Sequence, residues 1–426
     1  MLKLDQTIAM ALDQGFERIF GTAPARYFSA PGRTEIGGNH TDHQRGHVLA
    51  AAVNLDTVAA VKENGTNMIR IQSEGYPLCE VSLDRLTPVA EEVNTTMALI
   101  RGVAARFAEL GCQVRGFDAY VTSTVLPGSG LSSSAAYEVL IGTIINHLFF
   151  DGRVSQPEIA KIGQYAENVF FGKPCGLMDQ TASAVGGMVT IDFYDKENPV
   201  IESVDFDFAS CGQALCIIDS RASHADLTDE YAAITADMKN ICAWFGKDVL
   251  TQVEEADFIA NLPALREKFG DRAMLRAYHF YKDNTRVPRQ VAALRAGDFD
   301  SFLDMVKESG YSSYMYLQNV IPAGYKEKQD VAVALMLCEM YLNGRGGYRV
   351  HGGGFAGTVQ AFVPYDILER FVAGIDGALG KGACHVLSIR PEGGVEACKL
   401  KTKSPLERGG FCYGVTCCDV LHAESV

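Results

Sequence analysis

The 426-residue sequence lacks the features that mark membrane and nucleic-acid-binding proteins. No apolar run reaches the roughly 18 residues that a membrane-spanning helix needs. No run of lysines or arginines occurs, and 38 basic residues face 52 acidic ones, for a net charge of −14. Because non-specific binding to nucleic acid depends on clustered cations, we expect neither a nucleic-acid nor a membrane partner.

A disulfide or zinc framework is also missing. The 12 cysteines are scattered, and no C-x-x-C pair occurs among them. The first 20 residues carry acids throughout and are typical of an amphipathic helix, whereas a secretory leader has a basic start and an apolar centre. We therefore expect a cytoplasmic protein with reduced thiols.

The common nucleotide-binding motifs are absent as well. The sequence has no G-x-x-x-x-G-K-[ST], no H-R-D with D-F-G, and no H-E-x-x-H. Glycine is abundant, at 42 residues, and the composition of 47% apolar and 21% charged residues is that of a globular protein. A phosphate-handling enzyme with this sequence must therefore use another kind of glycine loop.

The pattern of elements predicts a mixed α+β protein of two domains. Residues 26–125 are strand-rich, and helical periodicity dominates from 227 to 342. The pattern breaks near residues 192–212, which gives predicted domains at 1–205 and 206–399 and an appended tail at 400–426. The oligomeric state is left open between monomer and homodimer.

Three glycine clusters stand out. Residues 30–47 read A-P-G-R-T-E-I-G-G-N-H-T-D-H-Q-R-G-H, and their dense polar side chains suit a small polyhydroxylated ligand. Residues 127–136 read P-G-S-G-L-S-S-S-A-A between a predicted strand and a predicted helix, which suits the binding of phosphate at a helix N-terminus. A solvated turn would also explain the first cluster, and a serine helix cap would also explain the second.

The third cluster, His351 to Gly357, matches G-x-G-x-x-G. A dinucleotide site is rejected, because the residues that follow alternate like a strand and do not open a helix. Taken alone, this cluster also fits a tight turn between two strands.

Together the three clusters resemble, in order and spacing, the motifs of the GHMP small-molecule kinases. P-G-R-T-E-I-G-G-N-H-T-D-H is similar to the galactokinase signature P-G-R-V-N-L-I-G-E-H-T-D-Y, and R-V-H-G-G-G-F-A-G resembles R-M-T-G-A-G-F-G-G. A fourth stretch, C-G-L-M-D-Q at 175–180, resembles galactokinase C-G-I-M-D-Q. The resemblance runs from about residue 26 to 389 and favours the galactokinase branch.

This resemblance implies an S5-domain-2-like N-terminal α+β domain, a ferredoxin-like C-terminal domain and an active site between them. It also implies an ATP- and Mg²⁺-dependent sugar 1-kinase. Asp179 would act as general base or electrostatic partner, and Arg33 would keep it ionised. The implied sugar contacts are Asn39, His40, Asp42, Gly176 and Tyr231. The implied ATP contacts are Pro127, Gly128, Ser129, Gly130, Leu131, Ser132, Ser133, Gly353 and Gly354, and the implied Mg²⁺ ligands are Ser134 and Glu167.

The first motif departs from the family pattern. Asn39 replaces a glutamate that faces the C6 hydroxyl in galactokinases, and an amide would not repel a C6 carboxylate. His43, Arg45 and His47 make the loop more basic than the pattern. Phosphorylation of galacturonate at C1 is therefore the second candidate activity. A homoserine- or mevalonate-type kinase and a non-catalytic sensor of sugar and nucleotide also stay open.

Overall fold

The computed structural model describes residues 2–125, 130–222 and 227–399. The predicted phosphate contacts Pro127, Gly128 and Ser129 and the predicted tail 400–426 lie outside these residues. Within them, no helix is both long enough and apolar enough to cross a membrane.

The described residues form two sheets with helices packed on them. The strands are β1 Leu2–Leu4, β2 Arg26–Gly37, β3 His47–Glu63, β4 Met68–Ser73, β5 Leu78–Ser82, β6 Phe117–Ser123, β7 Met188–Asp192, β8 Val200–Ser203, β9 Gln213–Asp219, β10 Gly347–His351, β11 Thr358–Pro364, β12 Cys384–Leu387 and β13 Val395–Lys399. The helices are α1 Gln6–Phe20, α2 Thr96–Glu109, α3 Ser133–Phe149, α4 Gln156–Tyr165, α5 Met178–Val185, α6 Thr228–Trp244, α7 Glu255–Ala260, α8 Leu262–Arg295, α9 Phe299–Ser312, α10 Asp330–Leu342 and α11 Leu368–Leu379.

The larger sheet has the order β1-β13-β2-β3-β6-β4-β5, and β7 and β8 extend it from β3. Its apolar face packs against α2, α3 and α4 through buried side chains such as Phe28, Ile100, Leu140 and Ile159. Helix α3 is buried along most of its length, as expected for a helix whose sequence is apolar on all sides. This packing fixes the start of α3, which carries the serine cluster.

The smaller sheet has the order β10-β11-β9-β12 and is covered by α10 and α11. A separate apolar cluster joins it to the larger sheet, with Ile36 and Leu49 on one side and Leu215 and Phe362 on the other. Long helix α8 contributes Val287 and Leu294 to the same cluster. The two sheets are therefore packed against each other through a shared core, with the glycine motifs at their junction.

Strand β2 differs from the sequence-based expectation. The first glycine cluster was expected to be a bent loop, but β2 continues through Pro31 and Arg33 to Gly37. Its pairing with β3 shifts register between Pro31 and Arg33 and again between Glu35 and Gly37. Such bulges redirect side chains while keeping the strand paired, so Arg33 is presented from a rigid strand.

Strand β13 also differs from expectation. It follows the smaller sheet in sequence, yet it pairs with β1 and β2 of the larger one. The larger sheet thus takes strands from residues 2–4 and from 395–399, a connection that a division at residue 205 does not anticipate. Helix α2 was also missed, because residues 26–125 were interpreted as strands.

Candidate active site

Arg33 and Asp179 form the central ion pair of the site. Arg33 donates from Nε to Asp179 Oδ1 at 2.7 Å and from Nη2 to Oδ2 at 2.6 Å. Its third nitrogen, Nη1, donates to the carbonyl of Gly130. A bidentate guanidinium–carboxylate pair fixes both planes, so strand β2 and the first turn of helix α5 are locked together at this point.

The charges of this pair set the state of Asp179. Burial alone would raise the pKa of the Asp179 carboxyl, but attraction and hydrogen bonds from Arg33 outweigh it and lower the pKa below its ordinary value. Ser132 adds a hydrogen bond from Oγ to Asp179 Oδ2 at 2.6 Å. Asp179 is therefore an ionised acceptor, held in place on two sides.

The described part of the serine cluster lies directly against this pair. The Leu131 carbonyl accepts a hydrogen bond from the Arg33 backbone N–H at 3.0 Å. Ser132 has a left-handed backbone with φ 58°, a conformation that is costly outside glycine, and α3 begins at Ser133. Ser132 was predicted to contact ATP; its hydroxyl contacts Asp179 in this structure, and the ATP contact stays a prediction. The phosphate-binding roles of Gly130, Leu131 and Ser133 stay predictions.

Glu167 lies in a buried acidic pair that the sequence analysis did not foresee. The Gln180 amide Nε2 donates to Glu167 Oε2 at 2.9 Å and to Glu138 Oε2 at 3.0 Å. Burial, and then repulsion from Glu167, raise the pKa of Glu138 well above its ordinary value. Glu138 lies one helical turn beyond Ser134, and that spacing was the available signal.

Ser134 and Glu167 are the predicted ligands of a Mg²⁺ ion that would arrive with a nucleotide. In the described ranges, no three His, Cys, Asp or Glu side chains converge as a metal cage. Mg²⁺ usually takes only one or two carboxylates and completes its shell with phosphates and water. The Glu167 carboxylate and the Ser134 hydroxyl would supply such a partial ligand set.

Asp42 lies beside the residues that precede Asp179. A Cβ atom placed on Gly176 would be 2.6 Å from Asp42 Oδ2, so a side chain there would displace the carboxylate. The other oxygen, Oδ1, is 3.0 Å from His43 Nδ1. The structure therefore brings Asp42, Gly176 and Asp179, all predicted site residues, to one place.

His40, which was predicted beside Asp42, connects the first motif to the third. Its Nδ1 is 3.1 Å from His43 Nε2, and its Nε2 is 3.0 Å from the carbonyl oxygen of Gly353. The sequence marks His43 only as a departure from the family pattern. In the structure it is the residue between Asp42 and His40.

Asn39 occupies a different environment from the one predicted. Its side chain is fully buried, and Nδ2 donates to Glu35 Oε1 at 3.2 Å and to the Gly352 carbonyl at 2.7 Å. Its Oδ1 accepts hydrogen bonds from Ser313 and Asn319 at 3.1 and 2.9 Å. All its hydrogen-bonding groups thus have protein partners, which argues against Asn39 as a sugar ligand.

Glu35 explains why an amide suits position 39. The quoted signature has asparagine at position 35 and glutamate at 39, and this chain has the two exchanged. Buried Glu35 forms an ion pair with buried Arg349 of β10. With the carboxylate at 35, an amide at 39 can donate to it, whereas a second carboxylate would repel it.

The third glycine cluster packs against Tyr231. The Tyr231 hydroxyl donates to the Gly354 carbonyl at 2.8 Å, and its ring meets Phe355 edge-on at a centroid distance of 5.4 Å. Gly354 has φ 78°, which favours glycine. The structure therefore places Tyr231 of α6 against this loop. Its predicted sugar contact stays a prediction.

Arg45 and His47, the other basic residues of the first motif, face a separate cavity. Its volume is about 300 Å³, and its other walls include Asp192, Glu254 and Asn284. Asp42 and His43 are not among its lining residues. Arg45 and His47 thus line a different part of the molecule from Asp42, the carboxylate that was predicted to bind sugar.

Two family models match this chain. The galactokinase galactose-binding signature matches residues 14–63, and the N-terminal domain of the GHMP kinases matches residues 98–187. The first match contains Arg33, His40 and Asp42, and the second contains the serine cluster and Asp179.

Relatives and solved structures extend the match over nearly the whole chain. The galactokinase of Streptomyces coelicolor is 31% identical over 397 residues, which cover 92% of this chain and 99% of that protein. The galactokinase of Actinobacillus pleuropneumoniae is 30% identical, covering 84% and 90%. The structure of Lactococcus lactis galactokinase complexed with galactose superposes with a TM-score of 0.76 at 23% identity, covering 91% and 99%. A mevalonate kinase structure superposes at 0.61 with 14% identity, covering 86% and 100%.

These likenesses confirm the predicted two-domain α+β GHMP kinase fold, since both solved structures share it over most of their length. The family follows from the curated relatives, which match at 30% identity or more over nearly their full length. With its ion pair, serine cluster and glycine loops gathered at one place, the chain belongs to the galactokinase family of the GHMP kinases.

Proposed function

We propose that this chain is an ATP- and Mg²⁺-dependent galactokinase, which transfers the terminal phosphoryl group of ATP to the anomeric hydroxyl of galactose and gives α-galactose 1-phosphate. One observation carries the proposal. Asp42, the proposed sugar ligand, approaches Gly176, and three residues later Asp179 is held by Arg33 beside the serine cluster. A short segment thus connects a sugar-binding carboxylate to a phosphoryl-transfer pair.

The geometry suggests how each residue works. Asp179, ionised and held by Arg33, accepts a hydrogen bond from the anomeric hydroxyl and takes its proton as the bond to phosphorus forms. A lowered pKa makes Asp179 a weak base, which suffices because phosphoryl transfer passes through a loose transition state. Arg33 lies close enough to Gly130 to stabilise charge on phosphates at that loop.

Ser134 and Glu167 are the residues that would hold Mg²⁺, which would neutralise phosphate charge when bound. The buried Gln180 amide orients the Glu167 carboxylate by its hydrogen bond. A cytoplasmic location stays a prediction.

The structure weakens the case for galacturonate as substrate. That activity was inferred from Asn39 and from the basic residues His43, Arg45 and His47, of which His43 is already paired with Asp42. Asn39 is buried among protein partners, and Arg45 lines a separate cavity. A role as a non-catalytic sensor is disfavoured by the intact Arg33–Asp179 pair and by the galactokinase relatives.

A substrate panel tests the proposal. ADP release is measured with ATP and Mg²⁺ against galactose, galacturonate, arabinose, N-acetylgalactosamine, homoserine and mevalonate. We expect the highest kcat/KM on galactose. Higher kcat/KM on galacturonate would replace galactose as the substrate, and nucleotide binding without turnover on any compound would favour the sensor.

A further inference from the structure

Asp42, His43 and His40 form a continuous chain, an ion pair followed by two hydrogen-bond contacts, that ends on the third glycine loop. Three distances define it: 3.0 Å from Asp42 Oδ1 to His43 Nδ1, 3.1 Å from His43 Nε2 to His40 Nδ1, and 3.0 Å from His40 Nε2 to the Gly353 carbonyl oxygen. The two imidazole rings lie at 65° to each other with centroids 5.1 Å apart. The chain therefore spans from the first motif to the third.

The two ends of the chain determine how many protons it holds. A carbonyl oxygen only accepts hydrogen bonds, so His40 Nε2 must carry a proton. An ionised carboxylate also only accepts, so His43 Nδ1 must carry one as well. A third proton lies between His43 Nε2 and His40 Nδ1. Two rings with three N–H protons have one positive charge between them, wherever the middle proton lies.

The surroundings place that charge on His43. Burial, and then repulsion from His43, lower the pKa of His40 to about 3. Burial also opposes a charge on His43, but attraction by Asp42 and hydrogen bonding to its carboxylate outweigh burial and raise the pKa of His43 above the ordinary value. Of the other charged groups that act on His43, Glu35 favours its positive charge and Lys239 opposes it.

We propose that His43 is a positioning residue for the sugar: a doubly protonated imidazolium that holds Asp42 as an ionised, correctly turned acceptor of sugar hydroxyls. The inference rests on the proposed function for the assignment of Asp42 to the sugar. His43 Nδ1 is the partner of Asp42 Oδ1. Gly176, which has no side chain, leaves space for a sugar hydroxyl beside Asp42 Oδ2. The galactokinase signature has tyrosine at this position, so the charge is particular to this chain's motif.

The proposal gives sugar binding a pH dependence. Because the pKa of His43 is raised, the positive charge is present at low pH and is lost as the pH rises through that raised pKa. When His43 loses its proton, one of its two contacts, to Asp42 or to His40, no longer has a hydrogen-bond donor. Asp179 has no such dependence at neutral to alkaline pH, because its partner Arg33 keeps its proton. KM for the sugar should therefore rise with pH while kcat changes little.

Kinetics of the full-length chain test the link to the sugar. KM and kcat are measured between pH 6 and 9.5 for the wild type, His43→Tyr, His43→Gln and the remote control His385→Gln. We expect the wild-type and control KM to rise about tenfold across this range, and both His43 variants to lose the rise with less than threefold change in kcat. A flat wild-type KM, or the same rise in His43→Gln, overturns the proposal.

A spectroscopic measurement tests the charge without any substrate. In ¹⁵N-histidine-labelled protein, His43 is assigned by the signals lost in His43→Gln and should show both nitrogens protonated at pH 7. A neutral His43 at pH 7 overturns the proposal even if galactose is the substrate. If galactose is not phosphorylated, this measurement still decides the charge, and the kinetic test is run on the sugar that is.

Discussion

Asp179 and Asp42 are carboxylates of one site, but their positive partners differ in kind. Asp179 is held by the guanidinium of Arg33, which stays protonated at every pH that the fold survives. Asp42 is held by the imidazole of His43, whose pKa is raised by Asp42 but which, unlike a guanidinium, still loses its proton as the pH rises. The partner thus decides whether a carboxylate's role depends on pH: in the roles proposed above, phosphoryl transfer at Asp179 would not depend on pH in the neutral to alkaline range, and sugar binding at Asp42 would.

The largest expected effect is on kcat and comes from substituting Asp179, whose partner Arg33 keeps its charge. Asp179→Asn removes the ionised acceptor, and loss of a general base typically costs about 10²–10⁴-fold in rate. We expect kcat to fall by that amount while sugar affinity stays within about tenfold, or ~1.4 kcal/mol. Steady-state kinetics and calorimetric titration with galactose check the two parts.

Asp300→Asn, an exposed substitution on α9, is the matched control and should leave both kcat and affinity unchanged. Substantial remaining activity in Asp179→Asn would remove Asp179 from the mechanism. The comparison of Asp179 with Asp42 would then no longer include a catalytic residue.

A smaller effect is expected at Gly176, which lies against Asp42 and precedes Asp179 by three residues. Gly176→Ala puts a methyl group 2.6 Å from the present position of Asp42 Oδ2, so the carboxylate must turn away. We expect KM for galactose to rise about tenfold, a loss of ~1.4 kcal/mol of sugar binding, with kcat changed less. Kinetics at pH 7 check this.

Gly377→Ala is a suitable control, because a Cβ there meets no atom within 4 Å and the residue lies in helix α11. If Gly176→Ala lowers kcat and leaves KM unchanged, the segment serves Asp179 and not Asp42.

The smallest expected effect is on stability and concerns Glu138, a buried carboxylate whose pKa is raised. The pKa of Glu138 is raised in the folded protein, so the folded state holds this proton more tightly than the unfolded chain does. Stability is therefore lost as pH rises from the ordinary glutamate value towards the raised one. Glu138→Gln should remove this loss, and its Tm advantage over wild type should widen between pH 5 and 8 in metal-free buffer.

Glu91→Gln, at an exposed position, should change stability by less than about 0.5 kcal/mol at every pH. A Glu138→Gln variant that is less stable than wild type at pH 8 would mean that the charged form of Glu138 is stabilised by the fold.

The residues of recognisable motifs, and the helix that follows one of them, could be predicted from the sequence. The C-G-L-M-D-Q stretch and the P-G-R stretch led to Asp179 and Arg33, which the structure joins at 2.6–2.7 Å. The helix after the serine cluster was also predicted, because its apolar residues follow a helical period. The helix follows from local sequence, whereas the pairing of Arg33 with Asp179, which are 146 residues apart, was implied by the resemblance to the galactokinase motifs.

Features that depend on distant partners could not be predicted. Asn39 was interpreted from its own residue type, but its role depends on Glu35, Ser313 and Asn319, which only the fold brings together. His43 differs visibly from the family pattern, but its place between Asp42 and His40 required coordinates. A buried polar residue is defined by its partners, and single-sequence periodicity does not reveal them.

Strand β13 has a consequence for how the protein is made. It inserts between β1 and β2, so the sheet that carries Arg33 lacks a strand until residues 395–399 have been synthesised. During translation, β2 waits with an open edge, which is a hazard for pairing with other chains. The sheet that is begun first is thus completed only after the strands of the smaller sheet have been made.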